Sequence, residues 1–257
     1  MPVDLHHQPF VTDLGAISLH GLPDSLRAFC HAPLQYRQQH LQKCYGVAFD
    51  GYSYPGQEDS LNQGAEDQLH SFVFSDFSPL QRYPEEFHGY IQQYWSSLCA
   101  QVQQLEQELL KAMGLSAIAE QHALMFGHMM SANYFPARIQ QLPPADLRLS
   151  AHPDVSLLTV FLPGIGEDFQ YQDAAGQWRN ATTSGRVTVF AGELLEWLTD
   201  GAIPALNHRV KHSEKPAERF SFALFSLPMP GVELTSLGGR KITTEDWYQL
   251  HLSQWDD

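Results

Sequence analysis

His152 and Asp154 stand two residues apart, just in front of a run of strand-forming residues. On an extended chain, residues two apart project from the same face, so this imidazole and this carboxylate are aimed at one point. A third candidate ligand, His208, lies in a later strand-like run, residues 205–210. Two imidazoles and one carboxylate form a facial triad, which holds Fe(II) and leaves up to three coordination positions open. The three residues therefore predict a mononuclear non-haem iron site.

A single His-x-Asp pair is weak evidence, because a chain with 13 histidines contains about one by chance. A rival pair, His212 and Glu214, lies in a polar turn that ends at Pro216. Such a turn favours a solvated loop over a ligand role. The support for His152 and Asp154 comes from the residues farther along the chain.

Arg219 and Ser221 follow His208 and are again two residues apart in a strand-like run. They are therefore predicted to share one face of that strand. An arginine that points into an apolar barrel needs an anion. Its planar guanidinium can bind a carboxylate through two parallel hydrogen bonds, and the neighbouring hydroxyl can donate one more. This pair predicts a carboxylate-binding position downstream of the metal ligands.

The elements that position these residues change in character near residue 123. Before it, Pro23 suits the first turn of a helix, and apolar residues recur every three or four positions from Phe87 to Met113. After it come short strand-like runs separated by turn residues, which are typical of an antiparallel sandwich or jelly roll. We predict one α+β, mainly β domain: a mostly helical part over 1–122, a jelly-roll core over 123–228 and a C-terminal segment over 229–257. The predicted strand runs are Leu124–Phe135, Ser156–Leu162, Phe169–Gln172, Val187–Ala191, Ala205–Val210 and Phe220–Leu227.

Charge and composition narrow the classes of partner. The chain has 257 residues, with 15 Lys and Arg against 29 Asp and Glu, a formal net charge of -14. Such a surface repels phosphate backbones, so no nucleic-acid partner is expected. Without a signal-like N-terminus or a span-length apolar run, we expect no membrane partner and a cytoplasmic location. Cys30, Cys44 and Cys99 share no metal-type spacing and are expected to be ordinary reduced thiols.

Ordered motifs over the second half of the chain resemble those of the iron and 2-oxoglutarate dependent dioxygenases, in the isopenicillin N synthase-like superfamily. The family motifs are N-Y-Y-P, L-x-x-H-T-D-x-S-x-L-T, G-D-x-L-E, L-H-R-V and R-x-S. The segments that resemble them, in the same order, are Asn133-Tyr134-Phe135-Pro136, Leu149 to Thr159, Gly192 to Glu196, Asn207 to Val210 and Arg219-Phe220-Ser221. Several motifs in one order are far more specific than any of them alone.

The resemblance implies a double-stranded β-helix, a distorted jelly roll, as the core. It also implies Fe(II) on His152, Asp154 and His208, which would be the catalytic centre. Arg219 and Ser221 would hold the distal carboxylate of 2-oxoglutarate, with Asn133 as a neighbour. The implied reaction couples oxidative decarboxylation of 2-oxoglutarate by O2 to hydroxylation, desaturation or ring closure of a small organic substrate, with ascorbate as a candidate reductant.

The chain departs from the family pattern at Phe135, where the family has a tyrosine whose hydroxyl helps to bind 2-oxoglutarate. Losing one such hydrogen bond costs about 0.5 to 1.5 kcal/mol. A 2-oxoglutarate-independent oxidase of the isopenicillin N synthase type therefore stays open as an alternative. A non-catalytic barrel that binds a small acid is another, and a zinc hydrolase is disfavoured by the facial triad.

Substrate identity and oligomeric state do not follow from these motifs. Five residues of the predicted strands could line the pocket if their side chains face inward: Phe126, His128, Met130, Tyr171 and Phe222. Ordinary core packing is the preferred interpretation for all of them except His128, for which a structural and a functional role stay equally open. The amphipathic stretch from Ile242 to Trp255 is predicted to be a helix, either over the barrel mouth or at a dimer contact.

Overall fold

The computed structural model describes residues 3–15, 18–41, 49–57, 67–137, 147–163, 168–181, 185–211 and 218–252. Most of the strands belong to two facing sheets. In chain order they are β1 (Phe10–Thr12), β2 (Gly51–Ser53), β3 (His70–Ser75), β4 (Phe126–Phe135), β5 (Leu147–His152), β6 (Leu158–Phe161), β7 (Phe169–Gln172), β8 (Trp178–Asn180), β9 (Val187–Ala191), β10 (His208–Lys211), β11 (Arg219–Pro228), β12 (Glu233–Thr235) and β13 (Lys241–Thr243).

The larger sheet has seven strands in the order β1-β9-β6-β11-β4-β3-β2, and the smaller has four in the order β5-β10-β7-β8. Neighbouring strands in both sheets run antiparallel. The space between the sheets holds a mainly aromatic and aliphatic cluster: Leu69, Phe135, Phe161, Phe169, Ala181, Phe190, Leu206, Val210 and Ala223. This is the predicted jelly roll, and its large sheet also takes β1, β2 and β3 from the part predicted to be mostly helical.

The helices pack largely on the outer face of the large sheet. They are α1 (Leu22–His31), α2 (Leu34–Gln38), α3 (Glu85–Tyr90), α4 (Ser96–Ala112), α5 (Ser116–Met125), α6 (Glu193–Leu198) and α7 (Thr244–Leu252). The apolar stripe predicted from Phe87 to Met113 forms α3 and α4, joined without a break by a π-helical turn over Ile91–Trp95. Residues along this stripe are buried in the core shared with the sheet, as a one-sided apolar helix requires.

Strand alternation decides which candidate pocket residues reach the space between the sheets. On β4, Phe135 belongs to the inner cluster, so residues of the other parity face the helices. Phe126, Met130 and Phe222 accordingly lie in the core under the helices, and only Tyr171 packs against the inner cluster. The first three residues therefore pack in the core, which was the preferred interpretation, and do not line the pocket.

The C-terminal segment contains the predicted helix, but the helix begins later than predicted. Residues Lys241–Thr243 form a strand, and α7 begins at Thr244 rather than at Ile242. The indole Nε1 of Trp247 donates to the backbone oxygen of Val155 at 3.3 Å, which places α7 beside the segment that follows Asp154. Trp255 lies outside the described residues.

In the described part of the chain, every helix is too short or too polar to cross a bilayer.

Candidate metal centre

His152 and His208 end up side by side because their strands pair. They are direct partners in the antiparallel register of β5 and β10, and their ring centroids are 4.6 Å apart. Asp154 follows β5 after Pro153, and its Oδ1 lies 3.8 Å from Nε2 of each histidine. These three donor atoms converge within 4.8 Å of one another. The structure thus brings together the three residues that the sequence predicts as ligands, at a spacing that one ion can bridge.

The hydrogen bonds of both rings leave Nε2 available as a ligand. Nδ1 of His152 donates to the backbone oxygen of Ser150 at 2.7 Å, and Nδ1 of His208 donates to that of Leu206 at 3.2 Å. Such bonds fix the tautomer that presents an unprotonated Nε2. His208 is buried against aromatic rings, and burial lowers its pKa to about 4 although Asp154 opposes the shift. A neutral imidazole at physiological pH is what a metal requires.

The carboxylate of Asp154 is oriented by a hydroxyl. Thr159 Oγ1 donates to Asp154 Oδ2 at 2.6 Å, and Ser156 Oγ lies 2.9 Å from Thr159 Oγ1. Oδ1 is left free to face the two histidines. Sequence reasoning gave Thr159 no role of its own, although it stands five residues after Asp154 at the start of the next strand. An outer partner of this kind is a normal part of a metal site.

Replacing Thr159 with valine is expected to weaken Fe(II) binding 10- to 100-fold, the usual range for loss of such a partner. Valine keeps the shape of threonine but leaves Asp154 Oδ2 without its donor. Fe(II) titration under anaerobic conditions measures the change. Thr159→Ser retains the hydroxyl and should bind iron like the parent protein. Equal iron affinities for the valine and serine variants would contradict the orienting role of Thr159.

Position 192 has no room for a side chain, because the backbone of the Asp154–Ser156 segment lies directly against Gly192. Glu193 N donates to Asp154 O at 2.8 Å, and Leu194 N donates to Ser156 O at 3.1 Å, so the start of α6 anchors the Asp154 segment. A Cβ on Gly192 would overlap the backbone oxygen of Ser156 and lie 2.8 Å from that of Asp154. The close approach explains the glycine of the G-x-L-L-E segment in this chain.

We expect Gly192→Ala to destabilise the fold by about 1 to 3 kcal/mol, the usual cost of overpacking, and to weaken iron binding by displacing Asp154. Denaturant unfolding and Fe(II) titration measure the two effects. The control is Gly89→Ala, which lies in α3 with no atom within 4 Å of the added carbon. There, alanine should stabilise the helix by roughly 0.5 to 1 kcal/mol. Similar stabilities for the two variants would contradict the steric argument.

Arg219 carries a buried charge that no described residue meets with a hydrogen bond. All three guanidinium nitrogens are inaccessible to solvent and make no hydrogen bond in the described part of the chain. Its guanidinium carbon lies 4.8 Å from the centroid of the Phe135 ring, and the two residues are opposite each other on β11 and β4. Burial lowers the pKa of Arg219 to about 10, so the group is still a cation at neutral pH. An unpaired buried cation of this kind fits a carboxylate ligand.

A row of polar side chains crosses the same face of the large sheet. Ser221 on β11 and Ser71 on β3 are both opposite Asn133 on β4, and all three are buried. Ser131 Oγ donates to Asn133 Oδ1 at 2.9 Å and bonds to Ser71 Oγ at 2.9 Å. Arg219, Ser221 and Asn133 therefore share the inner face of the barrel, and Ser71 is an addition that sequence reasoning missed. His212 and Glu214, the rival pair, lie outside the described residues.

His128, a candidate pocket residue, lies instead on the outer face of β4. Its Nε2 is 3.0 Å from Glu106 Oε2, and the same oxygen is 3.0 Å from His122 Nε2. Burial by itself would raise the pKa of Glu106, but the two imidazoles lower it to about 2, so the carboxylate is ionised. The interpretation of His128 as part of the iron pocket is therefore wrong, because its parity on β4 is opposite to that of Asn133.

Comparisons with known proteins agree with this geometry. Residues 126–228 match the family model of the 2OG-Fe(II) oxygenase superfamily. The chain is 34% identical over 93 residues to 2-oxoglutarate-dependent dioxygenase AOP3 of Arabidopsis thaliana, an alignment that covers 36% of this chain and 23% of that protein. The chain thus spans about a quarter of the length of this curated relative.

The fold aligns with that of full-length Neurospora crassa T7H, solved in complex with alpha-KG, at a TM-score of 0.75 and 17% identity, covering 95% of this chain and 86% of that one. The auxin oxidation dioxygenase 1 of Arabidopsis thaliana, solved with 2-oxoglutarate, aligns at a TM-score of 0.70 and 14% identity, covering 92% and 88%. The resemblance stated from the motifs and the double-stranded β-helix fold are thereby confirmed.

Proposed function

We propose that this chain, whose residues 126–228 match the 2OG-Fe(II) oxygenase superfamily, is an Fe(II)- and 2-oxoglutarate-dependent dioxygenase that acts on a small organic molecule. The observation that carries the proposal is the buried guanidinium of Arg219, which makes no hydrogen bond to any described residue and lies in the same barrel as a histidine and aspartate triad. A metal site alone leaves that cation unexplained. A dicarboxylic cosubstrate that reaches from the metal to the guanidinium accounts for both.

Each residue has a physical task in this proposal. His152, Asp154 and His208 would hold Fe(II), which supplies the activation of O2 when it is bound with 2-oxoglutarate. The backbone oxygens of Ser150 and Leu206 keep both imidazoles in the binding tautomer, and Thr159 keeps Asp154 Oδ1 turned to the metal position.

Residues on the polar inner face of the large sheet would bind the far end of 2-oxoglutarate. Arg219 would pair with its distal carboxylate, with a hydrogen bond from Ser221, while Asn133 and Ser71 continue the polar row. Phe161, Phe169 and Phe190 surround His208 with apolar rings and exclude water from that side. Exclusion of water limits side reactions of the oxidised centre.

The test uses the full chain loaded anaerobically with Fe(II). Addition of 2-oxoglutarate should produce a visible charge-transfer band, and admission of air should release succinate with consumption of O2. A screen of small acids and amino-acid derivatives for stimulated succinate release then addresses the substrate. If neither the band nor succinate appears, the 2-oxoglutarate proposal is wrong.

Phe135 gives a specific reason to keep a second candidate function, an iron oxidase that does not use 2-oxoglutarate. Its ring has no hydroxyl to offer a carboxylate, and it packs under Arg219 instead. In that case Arg219 and Ser221 would bind a carboxylate of the substrate itself. O2 consumption that depends on an added acid but not on 2-oxoglutarate would favour this candidate.

We place the activity in the cytoplasm. Cys30 and Cys99 are free and buried in the described structure, which agrees with a compartment that keeps thiols reduced.

A further inference from the structure

A cavity of about 300 Å³ opens on the helical side of the large sheet, away from the iron ligands. Asp76, Cys99 and His128 are among its lining residues. They come from three elements: Asp76 directly follows β3, Cys99 is on α4 and His128 is on β4. A carboxylate oxygen, the sulfur and a ring nitrogen of these residues all lie within 4.8 Å of one another. No sequence motif links them, because only the packing of α4 on the sheet brings them together.

His128 is oriented as a metal ligand would be. It is 3% exposed, and its Nε2 is held by Glu106, so Nδ1, which faces Asp76, is the ring nitrogen left for a metal. Nδ1 lies 3.9 Å from Asp76 Oδ2 and makes no hydrogen bond to any described residue. A histidine whose far nitrogen donates to a carboxylate is the usual arrangement behind a bound metal. Glu106 is in turn held by His122.

Asp76 is also fixed in place. Its Oδ1 accepts a hydrogen bond from Trp95 Nε1 at 2.7 Å, and its Oδ2 accepts one from the backbone N–H of His128 at 2.9 Å. Trp95 ends the π-helical turn between α3 and α4, and such turns occur frequently at functional sites. The side chain of Asp76 is 38% exposed, so an ion has a route to it from solvent.

We propose that Asp76, Cys99 and His128 form a second metal site, for a divalent transition metal of the zinc class, with its open position toward the cavity. One thiolate, one imidazole and one carboxylate are donors that Zn²⁺ and Co²⁺ accept, whereas Ca²⁺ and Mg²⁺ prefer oxygen alone. The metal deprotonates a coordinating thiol, and the Cys99 thiolate with the Asp76 carboxylate then neutralises the ion. The open position is filled by water or by a small ligand from the cavity.

The site is separate from the proposed iron centre. His128 and Asn133 have opposite parity on β4, so they project to opposite faces of the large sheet. The iron triad contains no sulfur, whereas the second site contains Cys99. This difference gives a spectroscopic signature that only the second site can produce.

The test is a titration of the full-length protein with Co²⁺ under reducing, anaerobic conditions. We expect an intense near-ultraviolet band from charge transfer between the Cys99 thiolate and Co²⁺, which the sulfur-free iron triad cannot give. Cys99→Ser should lose the band. Cys30→Ser, which removes the other free thiol that the described residues contain, should keep it. Absence of the band in the parent protein, or its persistence in Cys99→Ser, would overturn the proposal.

Two further variants separate ligand loss from unfolding. Asp76→Asn changes an exposed carboxylate and should weaken Co²⁺ binding at least about 10-fold while the far-ultraviolet circular dichroism stays unchanged. Glu106→Gln should weaken it about 10- to 100-fold, the range for an outer carboxylate. Unchanged Co²⁺ affinity in folded Asp76→Asn would contradict the assignment. Succinate release is measured separately, so failure of the second site and failure of the proposed dioxygenase activity are distinguishable.

Discussion

Replacing His208 with alanine is expected to weaken Fe(II) binding more than about 100-fold, beyond the effect of losing an outer partner, and to abolish both O2 consumption and succinate release. The reason is that His208 supplies one of three converging donors, and the remaining pair of His152 and Asp154 holds an ion poorly. Anaerobic Fe(II) titration and an oxygen electrode measure the two losses. 2-Oxoglutarate should no longer produce a visible band.

The matched control for this variant is His88→Ala. His88 Nε2 bonds to the backbone oxygen of Tyr83 at 2.9 Å, in α3 and far from the triad in sequence. The His88→Ala protein should retain iron binding and turnover. A His208→Ala protein that still consumes O2 would remove this residue from the metal site. Binding of 2-oxoglutarate to the metal-free variant, with no turnover in the parent protein, would instead favour the small-acid-binding barrel.

Replacing Arg219 with methionine is expected to have two opposite effects. The concentration of 2-oxoglutarate needed for half-saturation should rise roughly 100-fold, because a two-pronged, charge-assisted contact worth about 3 kcal/mol is lost. The unfolding free energy of the protein without cosubstrate should rise, on the order of 1 kcal/mol, because a buried cation with no hydrogen bond to a described residue is replaced by an apolar chain of similar length. Kinetics of succinate release and urea unfolding measure the two effects.

The opposite signs separate a ligand-binding arginine from a structural one. An arginine that serves the fold would lower stability when it is removed. Arg219→Lys keeps the charge but not the planar fork, so its affinity for 2-oxoglutarate should fall between those of the parent protein and Arg219→Met. The control Arg179→Lys changes an exposed arginine paired with Asp173 at 2.7 Å and should leave both measurements nearly unchanged. Unaltered affinity in Arg219→Met would contradict the proposed carboxylate contact.

The chain's residue types and spacing already contained the chemistry of the candidate iron site. His152 and Asp154 are two residues apart in sequence, and an extended backbone points such side chains in one direction. The same rule applied to Arg219 and Ser221. The long amphipathic helix was predictable from its apolar period for an equally local reason, and so was the series of strands that forms the jelly roll.

Other features depended on which strands pair and which face of each strand is buried. The contact of His208 with His152 arises from the register of β5 and β10, although more than 50 residues separate them in the chain. Asn133 faces inward and His128 outward only because of the way β4 packs between the helices and the small sheet. Local sequence fixes the alternation along a strand but not which of its two faces meets the ligand.

By itself, the sequence predicted the candidate donor residues, the candidate anion-binding arginine and the class of fold, because each prediction rests on residue type, spacing and short-range periodicity. The tertiary structure alone decided the partners that orient them: Thr159 on Asp154, backbone oxygens on the two histidines, and Gly192 under the Asp154 segment. It also assembled Asp76, Cys99 and His128, which have no common spacing. Those contacts join distant parts of the chain, and their geometry exists only once the helices and both sheets have packed.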